Sequence, residues 1–261
     1  MLVATGCLPP VFHAVCPRRS PPGAPPQPWS ARVTVRQDLV DRLFFGRDPL
    51  KDFPAGVMET DLQGWQSQHK YLTEAIQIVA PKVIVEIGVW KGASVATMAK
   101  ALKAQGADAV IIAIDTWLGS SEHYLEERFA ESLDFEDGYP RLYRRFAANI
   151  CNEGLRDYVL PLPLDSLNAF EVLNAREVRP DVIHIDAGHD YASVMADLKA
   201  WWPLLRPGGV LIGDDYHAER FGKDKGKWPG VRQAFDEYFA AHPHTGFKSG
   251  KGKCLVTKPS A

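Results

Sequence analysis

The heptapeptide HIDAGHD, residues 184–190, gathers two histidines and two aspartates around one glycine. An apolar run, PDVIHID, ends there and a helical one, DYASVMADLKAWWPLL, begins. Four groups that carry charge or bind a metal at the end of a buried strand call for a chemical reason. Two more apolar runs end alike, AVIIAID at Asp115 and VLIGDD at Asp214 and Asp215. If the strands ending at Asp186 and at Asp214–Asp215 are neighbours, three carboxylates meet at one rim. Like charges that close raise one another's pKa. A divalent cation of the Mg²⁺ class, which prefers hard oxygen ligands, relieves the repulsion. Capping or turning the chain explains Asp190 or Asp214 singly, but not the whole set. His184 shares a strand face with Asp186 and reads as a core histidine bonded within the sheet. His189 follows in the loop, where the plain alternative is a pairing with Asp190.

The elements that position these residues alternate between short apolar runs and helical ones. Strands are expected at 82–88, 109–115, 158–165, 181–186 and 210–215, from continuous β-branched and apolar stretches. The third is the weakest, and its prolines suit an edge. Helices are expected over ASVATMAKALKAQG, ended by Gly106, and over PRLYRRFAANICNEG, with Pro140 at its start and Gly154 at its end. Further helices are expected over SLNAFEVLNARE, ASVMADLKAWWPLL and PGVRQAFDEYFAAH, and GFKSGKGKCLVTK reads as a closing hairpin. Repeated βα units with continuously apolar strands imply a parallel sheet covered on both faces. Ligands of such sheets bind at the carboxyl ends of the strands.

The remaining strand ends carry cofactor signals. EIGVWKGAS, residues 86–94, places Glu86, Gly88, Gly92 and Ser94 at the first strand-to-helix turn. The glycines suit a tight turn and a close approach to ligand. Their G-x-x-x-G spacing is not the dinucleotide pattern, so a cofactor without phosphates fits better. A carboxylate such as Glu86 in a buried strand requires a partner. Asp115, roughly 20 residues past the glycine turn, is placed to accept ribose hydroxyls. Asp165-Ser166 ends the third strand, with Ser166 as the expected N-cap and Asp165 assisting it or meeting the cofactor. GWQSQHKYLTEAI, residues 64–76, brings Trp65 to where it closes over the cofactor or packs in the core. The loops WLGSSEHYLEERF and YHAERFGKDKGKWPG, both mixed in charge, overhang the same rim and are expected to govern substrate choice.

With 261 residues, 46% of them hydrophobic, and a net charge of −2, the chain suits one large α/β domain. No basic stripe points to nucleic acid, and no apolar run approaches the ~20 residues that span a bilayer. Four scattered cysteines, none in a C-x-x-C, read as reduced thiols of a cytoplasmic protein. Residues 1–37 hold PRRSPPGAPPQP and no acid, and are expected to be disordered, with a single domain over 38–261. The composition suits a transit peptide, or translation from an upstream start. The sequence is compatible with a homo-oligomer.

VEIGVWKGAS, AID and LLRPGGVLIGDD together resemble motifs of class I S-adenosylmethionine-dependent methyltransferases, in the metal-dependent branch that methylates hydroxyls of small molecules, sugars above all. The resemblance runs from about residue 62 to the C-terminus. It implies a Rossmann-like doubly wound sheet of seven strands with a C-terminal antiparallel hairpin. It also implies S-adenosylmethionine around Glu86, Gly88, Gly92, Ser94 and Asp115, a Mg²⁺-class ion on Asp186, Asp214 and Asp215, and His189 as general base beside Asp186. The acceptor is then the hydroxyl of a sugar, glycoside or polyphenol. Three rivals compete. The H-x-D of HID suits a non-haem iron hydroxylase, but such enzymes are usually built on an antiparallel barrel. A nicotinamide-dependent dehydrogenase lacks its glycine pattern here. A non-catalytic binding module on the same fold leaves the acid cluster without a purpose.

Overall fold

The computed structural model describes residues 33–217 and 228–260. Five parallel strands form the centre of the sheet: β1 (Val83–Ile87), β2 (Val110–Ile114), β5 (Val159–Leu162), β6 (Val182–Ile185) and β7 (Val210–Gly213). A hairpin of β8 (Thr245–Gly250) and β9 (Lys253–Thr257) adds antiparallel to β7, giving the order β5-β2-β1-β6-β7-β9-β8. Each expected strand is present, and the proline-bearing β5 is the edge, where ladder donors are needed on one side only. β3 (Phe135–Glu136) and β4 (Tyr139–Pro140) make a separate two-stranded ribbon.

Alternation along the strands divides the core in two. Val85, Ile87, Ile112, Ile183 and Leu211 point to one face, under α7 (Ser166–Ala175), α8 (Tyr191–Leu204) and α9 (Pro229–Ala241). Ile84, Ile111, Val182 and Ile212 point to the other, under α2 (Lys70–Val79), α3 (Ala93–Ala104) and α6 (Leu142–Asn152). In α6 the four-residue spacing of Leu142, Phe146 and Ile150 buries all three. Pro140 does not start that helix as expected, because it pairs with Phe135 in the ribbon and α6 begins at Leu142.

Among the described residues four helices are additional to those expected: α1 (Val35–Phe44), α2 and the short α4 (Ser121–Leu125) and α5 (Ala130–Leu133) past β2. α1 is capped by Thr34, whose hydroxyl oxygen accepts from the Gln37 amide, and it buries Leu39, Val40 and Leu43. It begins inside the stretch expected to be disordered as far as residue 37; residues 1–32 lie outside the described residues. In α2, Tyr71, Leu72, Ala75 and Ile76 are buried against the sheet. Its N-cap is His69, whose Nδ1 accepts from the Tyr71 amide and whose Nε2 lies 3.0 Å from the Gly250 carbonyl, tying α2 to the hairpin. The expected roles at the start of α7 are exchanged. Asp165 is the N-cap, accepting from the Leu167 and Asn168 amides, and Ser166 is the first helical residue.

The strand order reverses between β1 and β6, so the crevice at the sheet's carboxyl edge opens there. The two strands come so close that a Cβ on Gly88 would lie 1.9 Å from the Asp186 carbonyl oxygen, and Gly88 has φ +81°. Gly88→Ala is therefore expected to cost about 3 kcal/mol or more in urea denaturation, from left-handed strain plus overpacking. Gly106→Ala, at φ +59° with nothing within 4 Å, serves as the strain-only control, and about 1 kcal/mol is expected there.

Candidate active site

A cavity of about 860 Å³ opens at this crevice. Its wall at the end of β1 is the turn into α3, built on residues that sterics disfavour. Trp90 has φ 53° and Trp117, just past β2, has φ 52°, each costing roughly 1–2 kcal/mol for a non-glycine residue. Asp115 compensates both. Its Oδ2 accepts from the Val89 and Trp90 amides at 2.8 and 2.9 Å, and its Oδ1 accepts from the Trp117 amide at 2.7 Å. The Trp117 indole N–H then donates to the Trp90 carbonyl at 2.9 Å. Asp115 thus clamps the turn, and Oδ1 keeps a lone pair for a ligand in the cavity it lines.

The residues expected at the cofactor's amino-acid end separate into two groups. Gly88 and Ser94 line the cavity, as do Asp165 and Ser166; Trp65 lines its mouth, 58% exposed, with its ring edge-on to Phe129. Glu86 and Gly92 do not line it. Glu86 has no exposed surface, its Oε1 accepts from the Ser94 hydroxyl, and it acts on the cavity wall only through that serine. A Cβ on Gly92 would meet the Phe146 ring at 2.7 Å, so this glycine is required by the packing of α3 on α6 and not by a ligand.

At the far wall, β6 and β7 deliver the acids, which lie on the α2–α3 face. Burial, reinforced by the charge of Asp214, pushes the Asp186 carboxyl well up. Burial acts on Asp214 in the same sense, but the ammonium of Lys253 overrides it and holds that carboxyl low. Lys253, on β9, has no exposed surface; its Nζ is ion-paired with Asp214 Oδ2 and lies 3.3 Å from His184 Nε2. His184 Nδ1 in turn lies 3.5 Å from Glu86 Oε2. His184 is the core histidine expected, set in the sheet beside Glu86 and beneath the cavity floor.

His189 does line the cavity. Its Nε2 lies 3.1 Å from Asp215 Oδ2, its Nδ1 lies 3.6 Å from Glu122 Oε2, and its ring stacks on Trp228 at 4.3 Å. It does not pair with Asp190, which caps α8 by accepting from the Ala192 and Ser193 amides. Asp215 also adopts a left-handed φ of 53°. The expected trio Asp186, Asp214 and Asp215 all line the cavity. Donor atoms lie within 4.8 Å of one another in two sets, His184–Asp186–Asp214 and Asp186–His189–Asp215.

Sequence reasoning missed Lys253, Glu122 and the ring cluster of Trp90 stacked on His123 at 4.4 Å with Phe129 edge-on. Glu122, His123, Phe129 and Trp228 fall in the two loops expected to overhang the rim. The part of the second loop at 218–227 lies outside the described residues.

A methyltransferase-domain family model matches residues 85–216, half of the chain, from β1 to just past β7. The chain belongs to that methyltransferase-domain family and has its class I, Rossmann-like fold. It is 27% identical over 175 residues to the uncharacterized protein y4gI of Sinorhizobium fredii, covering 66% of this chain but only 16% of that much longer protein. An O-methyltransferase from Bacillus cereus, solved with S-adenosylhomocysteine, superposes with a TM-score of 0.51 at 21% identity, covering 87% of this chain and 98% of that one. The O-methyltransferase TomG of Streptomyces achromogenes, solved with S-adenosylmethionine and involved in tomaymycin synthesis, gives a TM-score of 0.52 at 21% identity, covering 77% and 83%. These likenesses carry the fold. Among the described residues no helix is long and apolar enough to cross a membrane.

Behind Ser166 lies a buried carboxyl. The Ser166 hydroxyl donates to Asp197 and accepts from the Trp201 indole at 2.8 Å, so its side chain is already engaged within the protein. Burial pushes Asp197 up to about 6, partly offset by the bond from Ser166. Between the unfolded value of 3.8 and about 6 the folded state keeps a proton that the unfolded chain has released. Stability must therefore fall as pH rises through that window and level off above it. Chemical denaturation is expected to show about 3 kcal/mol of this loss, and Asp197→Asn to remove the slope.

Proposed function

We propose that the chain transfers the methyl group of S-adenosylmethionine to a hydroxyl of a small molecule, a sugar, glycoside or polyphenol, with help from a divalent cation. One observation carries the reading. A single cavity is lined both by Asp115, with an oxygen lone pair in reach of a ribose, and by Asp186, His189 and Asp215. The S-adenosylhomocysteine of the Bacillus cereus structure and the S-adenosylmethionine of the TomG structure support the choice of methyl donor.

An alcohol is a poor nucleophile until its proton leaves, and methyl transfer needs an oxygen lone pair in line with the bond that breaks. In this reading the oxygen–carbon bond forms as the carbon–sulfur bond breaks, the sulfonium becomes a neutral thioether, and the hydroxyl proton moves to His189. Asp215, beside Nε2, keeps that nitrogen protonated and the ring oriented, which leaves the Nδ1 lone pair to take the proton. Glu122, beside Nδ1, stabilises the imidazolium that results. Trp228 under the ring keeps water from that side of the base. Trp65 and the Trp90–His123 stack offer flat apolar faces for a ring-shaped acceptor.

The donor set fits a divalent cation at Asp186 and Asp215, two carboxylates on the cavity, with water and acceptor oxygens completing the shell. Asp214 fits less well, since Lys253 and the Asp215 amide already engage its two oxygens. A cation bound there would lower the pKa of the acceptor hydroxyl. The iron-hydroxylase rival needs a second histidine ligand, and His184 lies under the floor against an ammonium.

Incubation of a metabolite extract with isotopically labelled S-adenosylmethionine, read by mass spectrometry, should yield one labelled hydroxyl ether; no binding of the methyl donor in calorimetry would sink the reading. Asp115→Ala is expected to weaken donor binding by ~1.5–3 kcal/mol, as for loss of a charged hydrogen-bond partner. His189→Ala is expected to lower kcat by ~10²–10⁴ with donor affinity nearly unchanged. Wild-type kcat in His189→Ala beside a dead Asp186→Ala would make the histidine a bystander.

A further inference from the structure

Asp186 stands between two sets of donors that share it. The inner set is the more buried: His184 lies beneath the cavity floor, and Asp214 is largely buried but reaches the cavity lining. The outer set, with His189 and Asp215, consists of half-buried residues that line the cavity. The two differ in what already occupies them.

The inner set holds a cation of the chain's own. Lys253 has no exposed surface, and its Nζ meets Asp214 Oδ2 on one side and His184 Nε2, at 3.3 Å, on another. The second oxygen of Asp214 is also engaged, since Oδ1 accepts from the Asp215 amide at 2.8 Å. An ammonium this close obliges His184 to present its Nε2 lone pair, which turns the Nδ1 proton toward Glu86 Oε2, 3.5 Å away. Neither of those two buried atoms has another hydrogen-bonding partner. The row Glu86, His184, Lys253, Asp214 therefore runs unbroken beneath the floor, from the Ser94 hydroxyl at one end to Asp214 at the cavity wall. A metal ion entering it would face an ammonium with no route to water, at a severe desolvation and like-charge cost.

We propose that Lys253 is the resident cation of the inner set. Its ammonium locks Asp214 as an internal counter-ion, and a divalent cation is held in the outer set by Asp186 and Asp215, without Asp214. Lys253 is thus a positioning residue: it holds Asp214 and keeps His184 out of the chemistry. The methyltransferase reading enters only in naming an acceptor hydroxyl as the further ligand of that ion.

Mn²⁺ titrated into the full chain and followed by electron paramagnetic resonance tests this without any turnover. The variants are Asp215→Asn and the neutral pair Lys253→Met with Asp214→Asn. The expected result is a loss of Mn²⁺ affinity of about tenfold or more in Asp215→Asn, and a change within about threefold in the neutral pair. Thermal melting adds a second readout. Lys253→Met alone leaves the Asp214 charge buried without its ammonium, so it should melt well below the neutral pair, or fail to fold where the pair folds. A tenfold loss of Mn²⁺ in the neutral pair would make Asp214 a ligand and overturn the proposal. So would a pair no more stable than Lys253→Met, or a wild-type chain that binds no Mn²⁺. Calorimetry of S-adenosylmethionine on the same samples keeps the two readings apart. Donor binding without Mn²⁺ binding removes only this proposal, and the expected Mn²⁺ pattern without donor binding removes only the methyltransferase reading.

Discussion

Carboxylates at the ends of adjacent buried strands must be neutralised, and the ammonium of Lys253 does this from inside the sheet. Glu86, Asp186 and Asp214 sit on one face of three neighbouring strands, in a region that water does not reach well enough to solvate them. The hairpin of β8 and β9 is what brings the compensating charge. Its antiparallel pairing sets Cys254 opposite Gly213, which leaves Lys253 level with Asp214. From that contact follow the accepting nitrogen of His184, the proton directed at Glu86, and the serine bond that links Glu86 to the cavity wall. The C-terminal hairpin, which lies outside the span matched by the family model, is therefore part of the site and not only an edge of the sheet.

A second constraint acts at the cavity's other wall. Trp90, Trp117 and Asp215 all hold left-handed backbone, and all follow the carboxyl end of a strand. Such conformations persist when the surroundings over-determine them. For the two tryptophans the surroundings are three amide bonds to Asp115 and one indole bond. The same carboxylate therefore shapes the turn and faces the ligand, so binding and local stability are coupled at Asp115.

The sheet was legible because buried parallel strands read as unbroken Val and Ile runs, and the acids were legible because each ends such a run. α1 and α2 were not. α1 lies beside a proline-rich stretch that masks its short amphipathic pattern, and residues 64–76 read as an aromatic and polar cluster in which Trp65 closes over the cofactor or packs in the core, a reading that passes over the helix whose Tyr71, Leu72, Ala75 and Ile76 are packed on the sheet. Gly92 was taken for a ligand-approach glycine, but the Phe146 ring requires it, a contact made at a distance of over fifty residues. Lys253 sits in a lysine-rich hairpin where nothing in composition sets it apart. Only its alternation with Leu255 on the inner face of β9 signals burial. Glu122 and Trp228 approach His189 from loops whose paths are decided by tertiary packing.

The position of β9 in chain order has a kinetic meaning. During synthesis the parallel strands β1, β2, β5, β6 and β7 emerge first, with Asp186 and Asp214 at their ends and no Lys253 ammonium to meet them. Until the hairpin docks, these carboxyls must stay hydrated or protonated, so the carboxyl edge of the nascent sheet cannot close dry. Docking of the last strands therefore expels water and installs the charge in one event, joining groups about forty and seventy residues apart in the chain. Contacts of such separation form late in folding. A nascent chain thus carries every cavity-lining acid of the sheet before it carries a finished site, and the cavity is completed only when the hairpin docks.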